Sequence, residues 1–165
     1  MNRKWDRRMM GLAKYIATEW GQDPSTRCGA VVARGKNVIA LGYNGFPPGV
    51  DDAPDRLLAR DTRLAMTLHA EVNALLMAGT AAKGATLYVW PMPPCSQCAA
   101  VAIRAGVARV VAPEASSERM ERCGDQFDLA MTMYREANVI ADLWFDDPPN
   151  RVLGRCCGGC GHGES

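Results

Sequence analysis

The chain has 165 residues, is 48% hydrophobic and 22% charged, and carries a formal net charge of +1. That size and mix suit one globular domain with a real core, and the near-neutral balance excludes a general pull toward nucleic acid, favouring a small-molecule substrate. No apolar run approaches the roughly 18 residues of a membrane span, and the opening Met1-Asn2-Arg3-Lys4-Trp5-Asp6-Arg7-Arg8 is not followed by the hydrophobic region of a signal peptide. The expected compartment is therefore the cytoplasm. Seven cysteines, an odd number, read as reduced thiols and metal ligands rather than disulfides.

Trp5, Met9, Leu12, Ile16 and Trp20 recur at steps of three and four, which predicts an amphipathic helix ended by Gly21 and a turn at Asp23-Pro24-Ser25-Thr26. Two apolar runs, 28–33 and 38–43, flank Arg34-Gly35-Lys36-Asn37 as a β-hairpin. Asn44 to Gly49 must be a loop, and the charged 55–63 stretch reads as helical. A helix is expected over 69–77, a strand over 85–90, and a helix from about Ser96 to Ala105 entered through prolines 91, 93 and 94. Strand 107–112, a helical segment marked by Met120, Cys123, Phe127, Met131 and Tyr134 with a break at Gly124, and strand 138–145 complete the pattern.

The order α-β-β-α-β-α-β-α-β predicts an α/β fold of three layers (α/β/α), with a five-stranded mixed sheet and helices on both faces. Pro148-Pro149 closes the expected domain (1–149) and leaves a Gly- and Cys-rich tail (150–165). In that tail Cys156-Cys157-Gly158-Gly159-Cys160-Gly161-His162 offers ligand types, and a second metal site and a mobile end both stay open. Cys28 and Cys123 stand alone and read as buried thiols acting as small apolar residues.

The chemistry concentrates in His69-Ala70-Glu71, answered by Pro94-Cys95-Ser96-Gln97-Cys98. A catalytic zinc takes three protein ligands and leaves a fourth position for water. His69, Cys95 and Cys98 supply three, and His69 is the one histidine outside the tail. Both groups fall where a loop enters a helix, and the positive helix ends favour thiolate over thiol. Glu71 cannot share a helical face with His69, two residues away, but at a frayed first turn it can stand beside the metal without ligating it. Zinc would bring the pKa of a bound water to about 7, and Glu71 would act as the general acid and base that carries the proton. A structural zinc normally has a fourth protein ligand, and a redox Cys-x-x-Cys needs no His-x-Glu.

His-x-Glu followed by Pro-Cys-x-x-Cys is the signature of zinc nucleobase deaminases. With Asp23-Pro24-Ser25-Thr26-Arg27-Cys28-Gly29-Ala30-Val31, Gly42-Tyr43-Asn44-Gly45-Phe46-Pro47-Pro48-Gly49-Val50-Asp51-Asp52 and Ala85-Thr86-Leu87-Tyr88-Val89, the stretch from about Asp23 to Val139 resembles the deoxycytidylate (dCMP) deaminase family of the cytidine deaminase-like superfamily. The resemblance implies a hydrolase acting on a cyclic amidine, converting dCMP to dUMP and ammonia with one catalytic zinc, as a homo-oligomer; charge balance and the lack of a long apolar run leave no nucleic-acid or membrane partner expected. It implies that the Asn44 amide meets the sugar or phosphate and the Ala70 backbone N–H meets the pyrimidine carbonyl; alternatively, Asn44 only supports its turn. Arg27 is the expected phosphate ligand, with Ser25 and Thr26 nearby. Trp90 is either a wall of the pyrimidine pocket or a strand-end core residue. The Trp90-Pro91-Met92-Pro93-Pro94 linker is about one residue longer than the family's usual one, which alters a pocket wall and bears on tolerance of 5-substituted cytosines.

Other deaminases share parts of the pattern. Riboflavin-pathway enzymes separate their ligand cysteines more widely, and tRNA adenosine deaminases are more basic. Cytidine and guanine deaminases stay open, and a catalytically inactive interaction subunit is disfavoured by the intact ligand set.

Overall fold

The computed structural model describes residues 3–144, so the Cys156–His162 tail, its second metal site and the domain boundary expected at 149 lie outside the described residues. The elements are α1 (Arg3–Trp20), β1 (Gly29–Arg34), β2 (Asn37–Tyr43), α2 (Pro54–Leu58), α3 (Arg60–Met66), α4 (Ala70–Ala78), β3 (Thr86–Trp90), α5 (Ser96–Arg104), β4 (Arg109–Pro113), α6 (Ser117–Glu136) and β5 (Ile140–Trp144). The strands form one sheet in the order β2-β1-β3-β4-β5. β1 pairs antiparallel with both β2 and β3, while β3, β4 and β5 run parallel, giving the mixed sheet expected.

Strand alternation divides the core in two. Ala30, Val32, Leu87, Val89, Val110 and Ala112 face a core completed by α4, α5 and α6. Their neighbours Val31, Ala33, Tyr88 and Val111 face the opposite way, onto Met9, Met10, Ala13 and Ile16 of α1. Each fully buried Val or Leu in these layers stabilises the fold by about 1.5–3 kcal/mol over its exposed state. Two glycines set how closely the helices approach: a Cβ at Gly29 would collide with the backbone of Ala13 and Ala17, and one at Gly42 with the backbone of Ala70 and Ala74. Gly42 therefore lets the first turns of α4, where the chemistry begins, lie directly on β2.

Two expectations are corrected and one is refined. The buried face of α1 is Asp6, Met9, Met10, Ala13, Ile16 and Ala17, whereas Trp20 is exposed, because close approach to Gly29 selects alanines over the bulky residues. The 55–63 stretch is two short helices, α2 and α3, meeting at an extended Ala59. Gly124 does not interrupt α6, which is continuous over 20 residues.

Buried Asp6 accepts two hydrogen bonds from Arg109 (2.8 and 3.0 Å) and one from the Tyr88 hydroxyl (2.8 Å), and Arg109 also pairs with Asp142. Burial alone would raise the Asp6 pKa; the Arg109 and Tyr88 hydrogen bonds and the Arg109 charge outweigh it and hold the carboxyl below its ordinary 3.8. Asp6 therefore stabilises the fold fully above that ordinary value, and its contribution disappears as pH falls through the lower folded pKa. Asp6→Asn should cost about 1.5–3 kcal/mol at neutral pH. Its urea midpoint should also fall less steeply than that of wild type below about pH 4. Parallel pH curves for the two proteins would remove Asp6 from the acid response.

Candidate active site

The site lies beyond the C-terminal end of β3, where α4 and α5 both begin. The loop after β2 returns to meet the chain just before His69: Gly45 and Leu68 exchange backbone hydrogen bonds of 3.2 and 2.8 Å. His69 is the N-cap of α4, in extended backbone conformation (φ −67°, ψ 147°), so its side chain is free of the helical rotation that separates residues i and i+2. Glu71 follows inside the first turn, which resolves how both reach one point. Cys95 caps α5 in the same way (φ −70°, ψ 169°), after a prolyl approach that buries Pro93 and Pro94, and Cys98 lies in the turn that follows.

These placements bring the three ligand atoms within 4.8 Å of one another. His69 Nδ1 lies 3.3 Å from Cys98 Sγ and 3.7 Å from Cys95 Sγ. Zinc bond lengths to sulfur and nitrogen imply ligand–ligand edges of about 3.5–4 Å in a tetrahedron, so the donor set fits a zinc ion with one position left open. Among the described residues, no other cluster of three or more His, Cys, Asp or Glu side chains comes as close. The Cys98 hydrogen bond and then the His69 ring hold the Cys95 thiol down to about 4, which favours its thiolate form. Two helix N-termini add positive potential at the same point. Burial pushes the Glu71 carboxyl up from its ordinary value, and the side chain is 6% exposed. It is a buried carboxyl beside the three ligand side chains.

Above the cradle is a cavity of about 500 Å³. His69, Ala70, Glu71 and Cys95 form its floor. Ala70 opens α4, where helix geometry provides no intrahelical acceptor for its N–H. The 23–28 turn forms one wall, built around a polar frame. Asp23 Oδ1 accepts the N–H groups of Ser25 (2.7 Å) and Thr26 (3.0 Å), and Asp23 Oδ2 accepts from Arg63 Nε (3.0 Å). Arg63, on α3, also donates to Ser25 Oγ and the Leu57 carbonyl, so it fastens α2 and α3 to that wall. Asn44 closes the frame: its Oδ1 accepts from Cys28 N–H (2.7 Å) and its Nδ2 donates to the Thr26 carbonyl (2.8 Å). Asn44 thus braces the turn and lines the cavity as well, with a second amide proton and lone pair to spare.

Two expected binding residues fall elsewhere. Arg27 is exposed, donates to the Thr18 carbonyl (2.8 Å), and lies outside the cavity lining. Trp90 packs in the α1 layer with Lys14 4.7 Å from its ring centre, again away from the cavity. The reason is strand parity: Val89 points to the helical layer that holds the site and lines the cavity, so Trp90 points to the other. From the same linker it is Met92 and Pro93 that form cavity wall. Cys28 and Cys123 are half-buried and line the cavity, and Cys28 also packs against the core as the small apolar residue expected.

The residues missed by sequence reading are on α3 and α6. Arg119, Cys123, Gln126 and Phe127 of α6 line the cavity at i, i+4, i+7 and i+8, one helical face. That periodicity is present in the sequence, but its apolar members Cys123 and Phe127 mark only a helical segment there, and nothing local says what the face meets. Ser96, directly after Cys95, donates to Gln126 Oε1 at 2.5 Å and ties this face to the start of α5.

A mixed α/β sheet with an imidazole, two thiols and a buried carboxyl at two helix starts defines a hydrolytic deaminase of the cytidine deaminase-like class. Residues 3–114 match the family model described as the cytidine and deoxycytidylate deaminase zinc-binding region, and the chain belongs to that family. It is 35% identical over 136 residues to the uncharacterized deaminase of the luxG 3′ region of Aliivibrio fischeri, covering 82% of this chain and 90% of that protein. It is 30% identical over 148 residues to the deoxycytidylate deaminase of Pongo abelii, covering 81% and 79%. The crystal structure of the dCMP deaminase from cyanophage S-TIM5 in complex with dCMP and dUMP superposes with a TM-score of 0.68 at 22% identity, covering 87% of this chain and 98% of that one.

Proposed function

We propose that this protein hydrolyses dCMP to dUMP and ammonia, with one zinc held by His69, Cys95 and Cys98. The observation that carries the reading is the convergence of that cradle and the buried Glu71 on the floor of a cavity whose walls carry four arginines, Arg60, Arg63, Arg119 and Arg122. Zinc, when bound, supplies Lewis-acid activation of water. Glu71 takes the proton of the attacking water and delivers it to the ring nitrogen N3; it then takes the proton of the hydroxyl newly added to C4 and passes it to the departing amine, so that the carbonyl forms and ammonia leaves. The Ala70 N–H would donate to the pyrimidine carbonyl, and the spare capacity of the Asn44 amide would serve the sugar. The framed 23–28 turn and α6 hold the nucleotide over the cradle.

Homo-oligomerisation belongs to the same reading, supported by the exposed Leu76 (66%) and Met77 (73%) on α4. So do a cytoplasmic location and tolerance of 5-substituted dCMP at the Met92–Pro93 wall. Among the described residues, no helix is long and apolar enough to cross a membrane.

The test is ammonia release from dCMP, deoxycytidine, cytosine, guanine and an adenosine-containing RNA by the zinc-loaded chain. dCMP should exceed every other substrate in kcat/KM by at least about tenfold, the worth of one hydrogen bond to a charged group. Release from guanine or RNA, with none from dCMP, would replace this substrate with another of the class.

A further inference from the structure

We infer that Arg119 is the residue that selects a phosphorylated substrate, by binding the phosphate of the nucleotide whose base lies on the metal cradle. The inference rests on the nucleotide-deaminase reading above and assigns the anion-binding role to a side chain on α6 rather than to Arg27.

Three of the four cavity arginines already face a carboxylate. Arg63 is locked to Asp23 at 3.0 Å. Arg60 pairs with Asp61 at 3.4 Å and Arg122 with Glu118 at 3.5 Å, and these two guanidinium-bearing side chains are 73% and 61% exposed, where solvent screens them. Arg119 is half-buried, lines the cavity, and has no ion pair or hydrogen bond among the described residues. Removing a guanidinium from water without an anionic partner is unfavourable, so a half-buried unpaired arginine on a ligand cavity fits an anion that arrives with the ligand. Its charge also reaches across the cavity: the Cys28 thiol is pushed up mainly by burial and by Glu71, and Arg119 opposes that rise.

The helix sets the distance. Gln126, tied to Ser96 beside Cys95, and Arg119 line the same cavity seven residues apart. That is two helical turns, about 10 Å along the axis. A base on the cradle and a phosphate at Arg119 would therefore be separated by roughly the length of a nucleoside. A phosphate monoester accepts the paired N–H groups of arginine well, whereas deoxycytidine offers only a single neutral hydroxyl in its place.

The experiment compares wild type, Arg119→Ala and Arg119→Lys on dCMP and on deoxycytidine, with zinc content and thermal unfolding measured for each. Arg119→Ala should lose at least about thirtyfold in kcat/KM for dCMP, chiefly through KM. It should lose far less on deoxycytidine, with metal content and melting close to wild type. Arg119→Lys should recover part of the loss, since it keeps the charge without the fork. KM for dCMP should also rise in wild type below about pH 6 as the phosphate takes up its second proton, and this limb should flatten in Arg119→Ala. An equal loss on both substrates, or no loss on dCMP, overturns the role of Arg119 while leaving dCMP as the substrate. A wild-type chain inactive on dCMP overturns the substrate reading, and this inference with it.

Discussion

Replacing Glu71 by glutamine should lower ammonia release by about a thousandfold or more while zinc content stays at the wild-type level. The substitution keeps size and shape, so it changes little besides the capacity to accept and return a proton. Glu71 is buried at 6% exposure in the first turn of α4, one residue beyond the helix start that follows His69, and it is outside the trio whose donor atoms come within 4.8 Å. On the proposed reading, a carboxyl so placed serves the reaction rather than the metal. Zinc per chain by atomic absorption and turnover by ammonia release, on the same preparation, separate the two roles. Retained zinc with near-normal turnover would take Glu71 out of the mechanism; lost zinc would make it part of the cradle.

Cys98→Ala should remove both metal and activity. Cys98 is 1% exposed and its sulfur is 3.3 Å from the His69 ring, so the variant leaves two ligands where a divalent ion needs three. Zinc should fall below about one tenth of an equivalent after dialysis against a weak chelator, and turnover should fall with it. Binding to the folded chain alone stabilises it, so the wild-type melting temperature should rise on zinc addition and that of Cys98→Ala should not. Metal uptake and ammonia release both unchanged in Cys98→Ala would end the case for this cradle. Turnover that survives complete removal of divalent metal from the wild-type chain would do the same.

Local chemistry made a large part of the molecule readable. The apolar runs around Arg34–Asn37 match the β1–β2 hairpin within a residue or two, because alternation and turn residues act over short distances. The Pro94–Cys98 stretch places one thiol at a helix start and the next a turn further on, and the structure brings both to His69. The open points were those where the answer depends on rotation or parity. Trp90 was an aromatic residue close in sequence to the ligands, yet a strand directs adjacent residues to opposite layers, and the register of β3 against β1 puts Val89 on the site side. Arg27 was close to the right turn, yet its guanidinium reaches back to α1.

By itself, the sequence determined the fold class and the grouping of one imidazole, two thiols and a carboxyl, since secondary-structure periods and ligand spacings are properties of short segments. Only the tertiary structure decided which cations line the cavity. Arg60, Arg63, Arg119 and Arg122 reach the cavity because α3 is fastened through Asp23 and α6 is docked on α5 through Ser96. Those contacts join residues 30 and 40 positions apart, a separation at which sequence pattern carries no distance information.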